Sequence, residues 1–348
     1  MRTPSGPPGR PTAEKARGGR AGRTSVRSMD ITVLPATPTD ADVDAWRSVL
    51  TDALATDQPQ LPAPSRVEVA GRIQVDPARG RAVRWACPDG VAALLLFSDE
   101  GNRHTAYLDV LAVRPAARRR GTGTALWERV RAALLADGRT TVGTMIDTDG
   151  PGEAFARALG FTNALPMGWY VQEVPADPGT VTVPDTPGYT LVAWSGLVPD
   201  HLARALAVAH DAMEDAPAGE LEERTPAWTP ERLRAVQQLV LDRGGELLTV
   251  AAMTPDGEVA AYTELMFPDP AAARAIQYDT VVVPAHRGRR LGRAVKLRML
   301  ATARAGHPAL RQIATTVADE NAPMLAVNTA LGYVRERGAA YYQLSLEP

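Results

Sequence analysis

Cysteine is almost absent from the sequence, since Cys87 is the only one among 348 residues. A single cysteine excludes an internal disulfide framework and any metal site built from several cysteines. Covalent thiol chemistry would depend on Cys87 alone, and its setting in "RWACPDG" favours a packed, unreactive side chain. The five histidines show no zinc-type ligand spacing, so we expect no metal site.

Long apolar runs are absent as well. No window reaches the roughly 18 consecutive apolar residues of a membrane span, and the amino terminus lacks the apolar stretch of a signal peptide. We therefore expect a cytoplasmic protein without a membrane partner. The hydrophobic content of 45% and the chain length predict a globular protein of about two or three domains.

Residues 1–28 differ in composition from the rest of the chain. They hold seven basic residues against Glu14 and are rich in Pro, Gly and Ser, which predicts a disordered basic tail. Such a tail can bind nucleic acid electrostatically. Basic runs alone are weak signals, so we favour a solvated extension, or an upstream start codon with Met29 opening the natural chain. A nucleic-acid partner is not expected.

The remainder of the chain contains an internal repeat. Gly160-Phe161 and Gly332-Tyr333 are 172 residues apart, and "VRPAARRRGTGTAL" from residue 113 aligns with "VVPAHRGRRLGRAV" from residue 282 at a shift of 169. Between the two copies, "PADPGTVTVPDTPG" is typical of a linker. We predict a basic tail (1–28), a first repeat (29–174), a linker (175–188) and a second repeat (189–348).

Each repeat alternates strand-like and helix-like segments in the same order. Runs such as "VAALLLFS" and "ELLTVAAM" predict buried strands, whereas "DADVDAWRSVLTDAL" and "DHLARALAVAHDAM" have the apolar spacing of helices. A basic loop, a helix, a strand, a further helix and a last aromatic strand follow in each repeat. This order predicts an α/β fold class with a mixed sheet.

The two basic loops have the features of a phosphate site. Each follows an apolar strand, contains glycine and opens a helix, so unpaired N–H groups and the positive helix end point to one place. The arginines of both loops would add charge for a pyrophosphate. The alternative is a glycine-bearing turn with a solvated basic rim, and two loops in matching context favour the phosphate site.

"VRPAARRRGTG" resembles motif A of the GNAT N-acetyltransferase superfamily, V-x-P-x-x-[RQ]-x-x-G-x-[GA]. "VVPAHRGRRLG" is similar, with Arg290 in place of the first glycine, and "NAPMLAVNTALGY" resembles the family's next motif. The layout of two fused GNAT domains is similar to mycothiol synthase and other actinobacterial tandem acetyltransferases. The resemblance implies binding of acetyl-CoA as co-substrate by Leu111, Ala112, Val113, Arg118, Arg119, Arg120, Gly121, Thr122, Gly123 and Thr124, and by Val281, Val282, Arg287, Gly288, Arg289, Arg290, Leu291, Gly292 and Asn321.

Transfer to an amine requires a base, backbone N–H donors for the developing oxyanion, and a proton source for the departing sulfur. In the family, the strand before motif A supplies the donors. Strand alternation predicts that Tyr107, Asp109, Leu111 and Val113 share one face, which makes Asp109 a candidate base and Tyr107 a candidate acid. The alternative is a carboxylate capped by its neighbours.

In the second repeat, alternation places Tyr278 and Thr280 on one face and Asp279 on the other unless a bulge redirects it, so Tyr278 and Asp279 are both candidates. The family tyrosine that commonly protonates the CoA thiolate is replaced by Asn328, and by Ala156 in the first repeat. This replacement lowers the expected efficiency without forbidding the reaction, because a thiolate can leave without full protonation. We expect the first loop, with its complete glycine pattern, to bind acetyl-CoA more reliably.

An acidic cluster follows the first helix of the second repeat, and in the family this region often lines the acceptor cleft. The cluster favours a small, cationic amine as acceptor, and a solvated acidic loop is the alternative. His210 is a candidate base, although helix histidines are commonly hydrogen-bonded surface residues. The members of the cluster are Asp211, Glu214, Asp215, Glu220, Glu222 and Glu223.

Two functions remain open from the sequence. The first is an acetyl-CoA-dependent N-acetyltransferase that acts by direct transfer to a small-molecule amine, as a monomer or homodimer. The second is a non-catalytic tandem GNAT protein that binds CoA or a partner surface.

Overall fold

The computed structural model describes residues 30–176, 181–212, 217 and 219–346. The predicted tail, residues 177–180 of the predicted linker, and Glu214 and Asp215 lie outside the described residues. The first repeat forms β1 (Thr32–Val33), α1 (Asp40–Asp57), α2 (Arg66–Gln74), β2 (Gly80–Cys87), β3 (Gly90–Phe97), β4 (Thr105–Val113), α3 (Thr122–Ala136), β5 (Thr141–Asp147), α4 (Pro151–Ala158) and β6 (Thr162–Glu173).

The second repeat runs through the same order of elements, so the predicted duplication and the α/β fold class with a mixed sheet are confirmed. No described helix is long and apolar enough to span a membrane. The elements are β7 (Thr190–Ser195), α5 (Asp200–Asp211), α6 (Pro230–Asp242), β8 (Glu246–Met253), β9 (Val259–Phe267), β10 (Arg274–Val282), α7 (Leu291–Gly306), β11 (Gln312–Ala318), α8 (Ala322–Ala330) and β12 (Val334–Ser345).

Side-chain caps fix the starts of the helices that cover one face of the sheet. Thr39 and Asp42 form a capping box at the start of α1, and Ser65 accepts a hydrogen bond from the backbone of Glu68 at the start of α2. Thr229 caps α6 in the same way. Each cap satisfies backbone N–H groups that the first turn of a helix leaves unpaired.

All twelve strands form one sheet, and the two repeats exchange their last strands within it. The strand order is β1-β2-β3-β4-β5-β12-β6-β11-β10-β9-β8-β7. Strand β12, from the end of the second repeat, pairs antiparallel with β5 of the first, whereas β6 of the first repeat pairs antiparallel with β11 of the second. The sheet built on either repeat is therefore completed by the other.

Helices cover both faces of the sheet in each repeat. In the first repeat, α3 packs through Leu126 and Val130 on one face, and α1 packs through Val43 and Trp46 on the other. In the second repeat, α7 takes the place of α3, and α5 and α6 cover the opposite face. The four apolar clusters hold the loops after β4 and β10 at the same end of the fold in each repeat.

Candidate functional site

Each repeat contains two parallel strands that separate after a short contact. Strand β10 pairs with β11 only over Arg274–Ile276 and Gln312–Ala314, and β4 pairs with β5 only over Thr105–Tyr107 and Thr141–Gly143. Beyond these residues, the two strands of each pair form no backbone pairing with each other. Backbone groups that are unpaired in a sheet can bind a ligand inserted between the strands.

The loops after β4 and β10 share one backbone conformation. Arg119 and Gly121 adopt left-handed angles in the first loop (φ 60° and 91°), and Gly288 and Arg290 adopt them in the second (φ 79° and 62°). These positions correspond at the shift of 169, so glycine and arginine have exchanged places. Arg290 therefore preserves the loop shape, although a non-glycine residue in this region costs about 1–3 kcal/mol.

A helix begins directly after each loop. Helix α3 starts at Thr122 and α7 at Leu291, and neither has a side-chain cap at its first turn. The unpaired N–H groups of the first turn and the positive end of the helix dipole therefore point to the opening between the separated strands. This geometry suits a phosphate group.

A cleft of about 1080 Å³ lies between the separated ends of β10 and β11, and we call it the second-repeat cleft. Its floor is formed by the second loop, the start of α7 and the side of α8. Part of its wall comes from β5 and β6 of the first repeat and from the exchanged strand β12. These wall residues are apolar or aromatic, namely Met145, Leu165, Met167, Trp169 and Tyr341.

Two protein groups lie beside the corresponding loop of the first repeat. The Cζ atom of Phe155 lies 3.5 Å from the position that a Cβ atom on Gly123 would occupy. In addition, Arg118 donates two hydrogen bonds to the carboxylate of Asp57, at 2.6 and 2.7 Å. The residue aligned with Phe155 in the second repeat is the smaller Val327, which lines the cleft. The first loop thus has the shape of a phosphate site, with an aromatic ring beside its helix start and one of its arginines paired with Asp57.

A β-bulge changes which residues of β4 share a face. The pairing of β4 with β3 skips one residue, so that Asp109 has no partner on β3. The prediction that Tyr107, Asp109, Leu111 and Val113 share one face is therefore wrong. Leu111 and Val113 pack against the core beneath α3, whereas Asp109 turns to α2 and accepts a hydrogen bond from Arg72 at 2.7 Å.

The two candidate catalytic residues of the first repeat lie near each other and both have partners. The Asp109 carboxylate raises the pKa of the Arg72 guanidinium, so the two form a stable ion pair. Burial raises the pKa of Tyr107 well above its usual value, and its ring lies 6.1 Å from the ring of Tyr341. Asp109 corresponds to the capped carboxylate that the sequence left as the alternative.

The second repeat has the bulge that would redirect Asp279. The register of β10 against β9 shifts between Gln277 and Thr280, which leaves Tyr278 and Asp279 together opposite Glu264. Both Tyr278 and Asp279 line the second-repeat cleft. The structure therefore brings these two candidate residues into one site with the second loop.

Two carboxyl groups at this bulge have pKa values raised towards neutral pH. Burial raises the pKa of Asp279 to about 6, and burial together with the charge of Asp279 raises the pKa of Glu264 to about 7. The exposed third of the Asp279 side chain (34%) borders the cleft. Glu264 accepts hydrogen bonds from Gln237 at 3.2 Å and Thr249 at 3.4 Å. A carboxylate with a pKa near the working pH is suited to proton transfer.

His210 is buried rather than on the surface, contrary to the expectation for a helix histidine. Its Nδ1 atom lies 2.8 Å from the Tyr262 hydroxyl and 3.6 Å from Oδ2 of Asp279. Burial, assisted by the charge of Arg232, lowers the pKa of His210 to about 3. The imidazole is therefore neutral near pH 7 and supports the position of Asp279 from behind.

Two described members of the acidic cluster, Glu222 and Glu223, contact the first repeat. Glu223 forms an ion pair with Arg79 at 2.6 Å, and Glu222 lies 3.5 Å from His104. Of the described acidic side chains, it is Asp279 on β10 that borders the second-repeat cleft. The expectation that the cluster lines the acceptor cleft therefore does not hold for Glu222 and Glu223.

The sequence analysis missed a polar cluster on the opposite wall of the cleft. Lys296 of α7 is buried, lines the cleft, and donates a hydrogen bond to Oδ1 of Asn328 at 2.5 Å. Its Nζ atom lies 4.6 Å from the ring centre of Tyr333. Asn321, at the start of α8, also lines the cleft and caps the helix through the backbone of Met324. The rarity of lysine in this chain was the available signal.

The polar groups of the second repeat have apolar counterparts in the first. When β3 is aligned with β9 and β4 with β10 through their bulges, Glu264 corresponds to Ala93 and Asp279 to Val110. Ala93 is buried and belongs to the apolar cluster under α1, against which Val110 packs. The two carboxyl groups Glu264 and Asp279 thus have no counterpart at these positions of the first repeat, whose bulge residue Asp109 is held by Arg72.

Cys87 is not among the residues that line the second-repeat cleft. Cys87 is half-buried at the end of β2, and its Sγ atom lies 3.4 Å from the carbonyl oxygen of Gly90. Across the described ranges, there is no group of three or more His, Cys, Asp or Glu side chains placed to hold a metal ion.

A protein-family model agrees with the duplicated site. The model of the "Acetyltransferase (GNAT) family" matches residues 46–161 and 209–333, one match in each repeat. Together the two matches cover more than half of the chain. A comparison with curated proteins gave no match.

Solved structures with the same fold include two-repeat acetyltransferases. A structure described as "Tandem GNAT protein from the clavulanic acid biosynthesis pathway (without AcCoA)" is 28% identical, covers 92% of this chain and 99% of its own, and superposes with a TM-score of 0.77. A GCN5-related N-acetyltransferase from Sphaerobacter thermophilus is 17% identical, with coverage of 91% and 96% and a TM-score of 0.64. The second likeness concerns the fold alone.

Proposed function

Because the chain belongs to the GNAT acetyltransferase family, we propose that it transfers the acetyl group of acetyl-CoA directly to the amine of a small molecule, and that the second-repeat cleft is the working site. The observation that carries the choice of site is the contrast between the repeats. Both loops have the same backbone, but the second opens onto a cleft with polar groups, whereas in the first Phe155 lies beside Gly123 and Arg118 is paired with Asp57.

The binding residues follow from the loop and helix geometry. Backbone N–H groups from Gly288 to Gly292 and the start of α7 would hold the pyrophosphate, with arginine side chains of the loop adding charge. The pantetheine arm of acetyl-CoA would lie between the separated edges of β10 and β11. Backbone donors at Val281 and Val282 would then stabilise the negative charge that develops on the acetyl oxygen.

Asp279 is the proposed base. It borders the cleft, and its raised pKa of about 6 leaves it ionised near neutral pH but basic enough to accept a proton from an ammonium group through the transfer. Neutral His210 and the carboxyl group of Glu264 support it from the protein side. This arrangement supports direct transfer, in which no enzyme side chain carries the acetyl group.

The cleft wall supports an acceptor with two different ends. Asp279 suits the amine, whereas Met145, Met167, Trp169 and their neighbours suit an apolar or aromatic body. The tandem GNAT protein at 28% identity belongs to a biosynthetic pathway for a small molecule, which is consistent with a small-molecule acceptor. We therefore expect an amine-bearing small molecule with a substantial apolar part.

A release assay and a binding measurement test this function together. Purified protein is incubated with acetyl-CoA and a panel of amines graded in apolar size, and free CoA thiol is recorded. We expect amine-dependent CoA release and one bound acetyl-CoA per chain by calorimetry. Binding without release with any amine would support the non-catalytic CoA-binding protein instead, and absence of binding would exclude both.

A further inference from the structure

Lysine is rare in this chain, and one lysine is placed in the cleft. Of the 38 lysine and arginine residues, only Lys15 and Lys296 are lysines. Lys296 is 5% exposed and lies on α7, one helical turn beyond Gly292 on the same helix face. Arginine keeps its proton at all physiological pH values, whereas a buried lysine can release its proton. A buried basic side chain that can donate a proton therefore borders the proposed transfer site.

The surroundings of Lys296 hold an ammonium group in place without neutralising it. Its partners are the Asn328 side-chain oxygen at 2.5 Å and the Tyr333 ring at 4.6 Å, and no carboxylate within the described ranges forms an ion pair with it. Tyr333 is itself fixed by a 2.6 Å hydrogen bond from its hydroxyl to Gln277 of β10. Burial lowers the pKa of Lys296 to about 7.

The first repeat shows that this cluster is not required by the fold. At the shift of 169, Lys296 corresponds to Trp127, and at the shift of 172, Asn328 and Tyr333 correspond to Ala156 and Phe161. Trp127 and Phe161 pack edge to face at 5.4 Å, and all three residues belong to the apolar core of the first repeat. An apolar packing solution therefore exists at the same place in the same fold. A buried lysine is unfavourable by comparison, which calls for a functional reason.

We propose that Lys296 is the proton donor to the CoA sulfur as it leaves, an inference that rests on the proposed function. Asn328 stands where the family tyrosine is usual, and its short side chain leaves room for the lysine chain to reach the cleft. As the new C–N bond forms, the C–S bond breaks and its electron pair stays on sulfur. The sulfur takes a proton from Nζ of Lys296, which becomes a neutral amine and recovers a proton from solvent.

The proton balance favours this direction. A thiol has a pKa of about 8.5, so an ammonium group with a pKa of about 7 transfers its proton to a thiolate downhill. Tyr278, the other candidate acid bordering the cleft, would donate uphill because burial raises its pKa above 10. Besides Tyr333, which contacts Lys296, the titratable and charged groups that line the cleft with it are Tyr278, Asp279, Arg287, Arg290, Arg293 and Tyr341.

Nuclear magnetic resonance of lysine-labelled protein tests the position of Lys296 without turnover. The Lys15→Arg background leaves Lys296 as the single lysine signal in the full-length chain. We expect a titration midpoint near 7 in the free protein. Bound CoA should change the chemical shift of the Lys296 side-chain signal relative to bound desulfo-CoA, because the proposal places the thiol beside Nζ. Equal chemical shifts with the two ligands, or a free midpoint near 10, would overturn the proposal.

Kinetics of two substitutions test the proton transfer itself. Lys296→Met removes the proton and keeps the chain length, and Lys296→Arg keeps a charge that does not give up its proton. We expect acetyl-CoA affinity within a few-fold of the parent, kcat lower by about 100-fold in both variants, and loss of the basic limb of the kcat profile near pH 7. Full kcat in either variant would refute the donor role. A parent without transfer activity would instead refute the proposed function.

Discussion

One acidic substitution in each loop distinguishes the two repeats. Gly292 is the second residue of α7, and a Cβ atom there would approach only Val282, at 3.3 Å from Cγ2. Gly292→Asp therefore requires the Val282 side chain to shift by a few tenths of an ångström, and an acidic residue in the first turn stabilises a helix by about 0.3–1 kcal/mol. The same carboxylate would repel a pyrophosphate bound at the helix start. Gly123→Asp places the identical change in the first repeat and serves as the matched control.

The size of the effect follows from the charges. Two unit charges about 5 Å apart repel by about 3 kcal/mol at an effective dielectric constant of about 20. Gly292→Asp should therefore weaken acetyl-CoA binding by roughly 100-fold. Gly123→Asp should change the affinity by no more than about twofold, because the proposed pyrophosphate site lies at the second loop.

Isothermal titration calorimetry with acetyl-CoA measures both variants, and thermal unfolding confirms that each is folded. Loss of binding in Gly123→Asp with normal binding in Gly292→Asp would place the site in the first repeat, as the complete glycine pattern of the sequence suggested. Normal affinity and stoichiometry in both variants would remove both loops from acetyl-CoA binding.

Four further substitutions test the chemistry and the electrostatics. Asp279→Asn should lower the acetyl-transfer rate by about 100-fold near neutral pH, with a smaller loss at high pH, where the amine deprotonates unaided. Asp109→Asn should keep the rate within a few-fold, because the Asp109 carboxylate is already paired with Arg72. CoA release measured across pH tests both variants. Glu264→Gln tests the raised pKa: the folded carboxyl holds its proton more tightly than the unfolded one, so stability is lost as pH rises from about 4.5 through about 7, by on the order of 3 kcal/mol. Thermal unfolding should show a fall across that range in the parent and a flatter profile in Glu264→Gln, and parallel profiles would contradict the raised pKa. Cys87→Ala should keep the CoA release rate within a few-fold, and inactivation of a folded Cys87→Ala protein would exclude direct transfer.

The sequence was informative where a residue pattern corresponds to a local backbone shape. The glycine-bearing loops, the helices after them and the duplication could all be predicted, because loop and helix signals are local. Even the exchange of glycine and arginine between positions 288 and 290 left the loop conformation intact. The mixed α/β fold followed from the same local signals.

Which residues of β4 and β10 share a face could not be predicted. Side-chain alternation fails at a bulge, and these bulges cannot be recognised from the apolar pattern of the sequence. The contacts of Phe155 and Asp57 with the first loop could not be predicted either, because both residues come from other segments of the chain. Lys296 was missed because buried lysine is rare, so a lysine in a helix is ordinarily assigned to the surface. The exchanged strands were invisible because two similar repeats offer similar pairing edges to either last strand.

The exchange of β6 and β12 affects how the chain reaches its native state during synthesis. The edge of β5 finds its permanent neighbour only when residues 334–345 have left the ribosome, so the first repeat cannot close its sheet while the second is being made. An unpaired β5 edge is open to wrong pairing during that interval, including pairing with β6, its neighbour along the chain. Truncation after the first repeat would fix that exposed edge permanently. The two halves should therefore yield folded material when they are produced together and aggregate when they are produced apart.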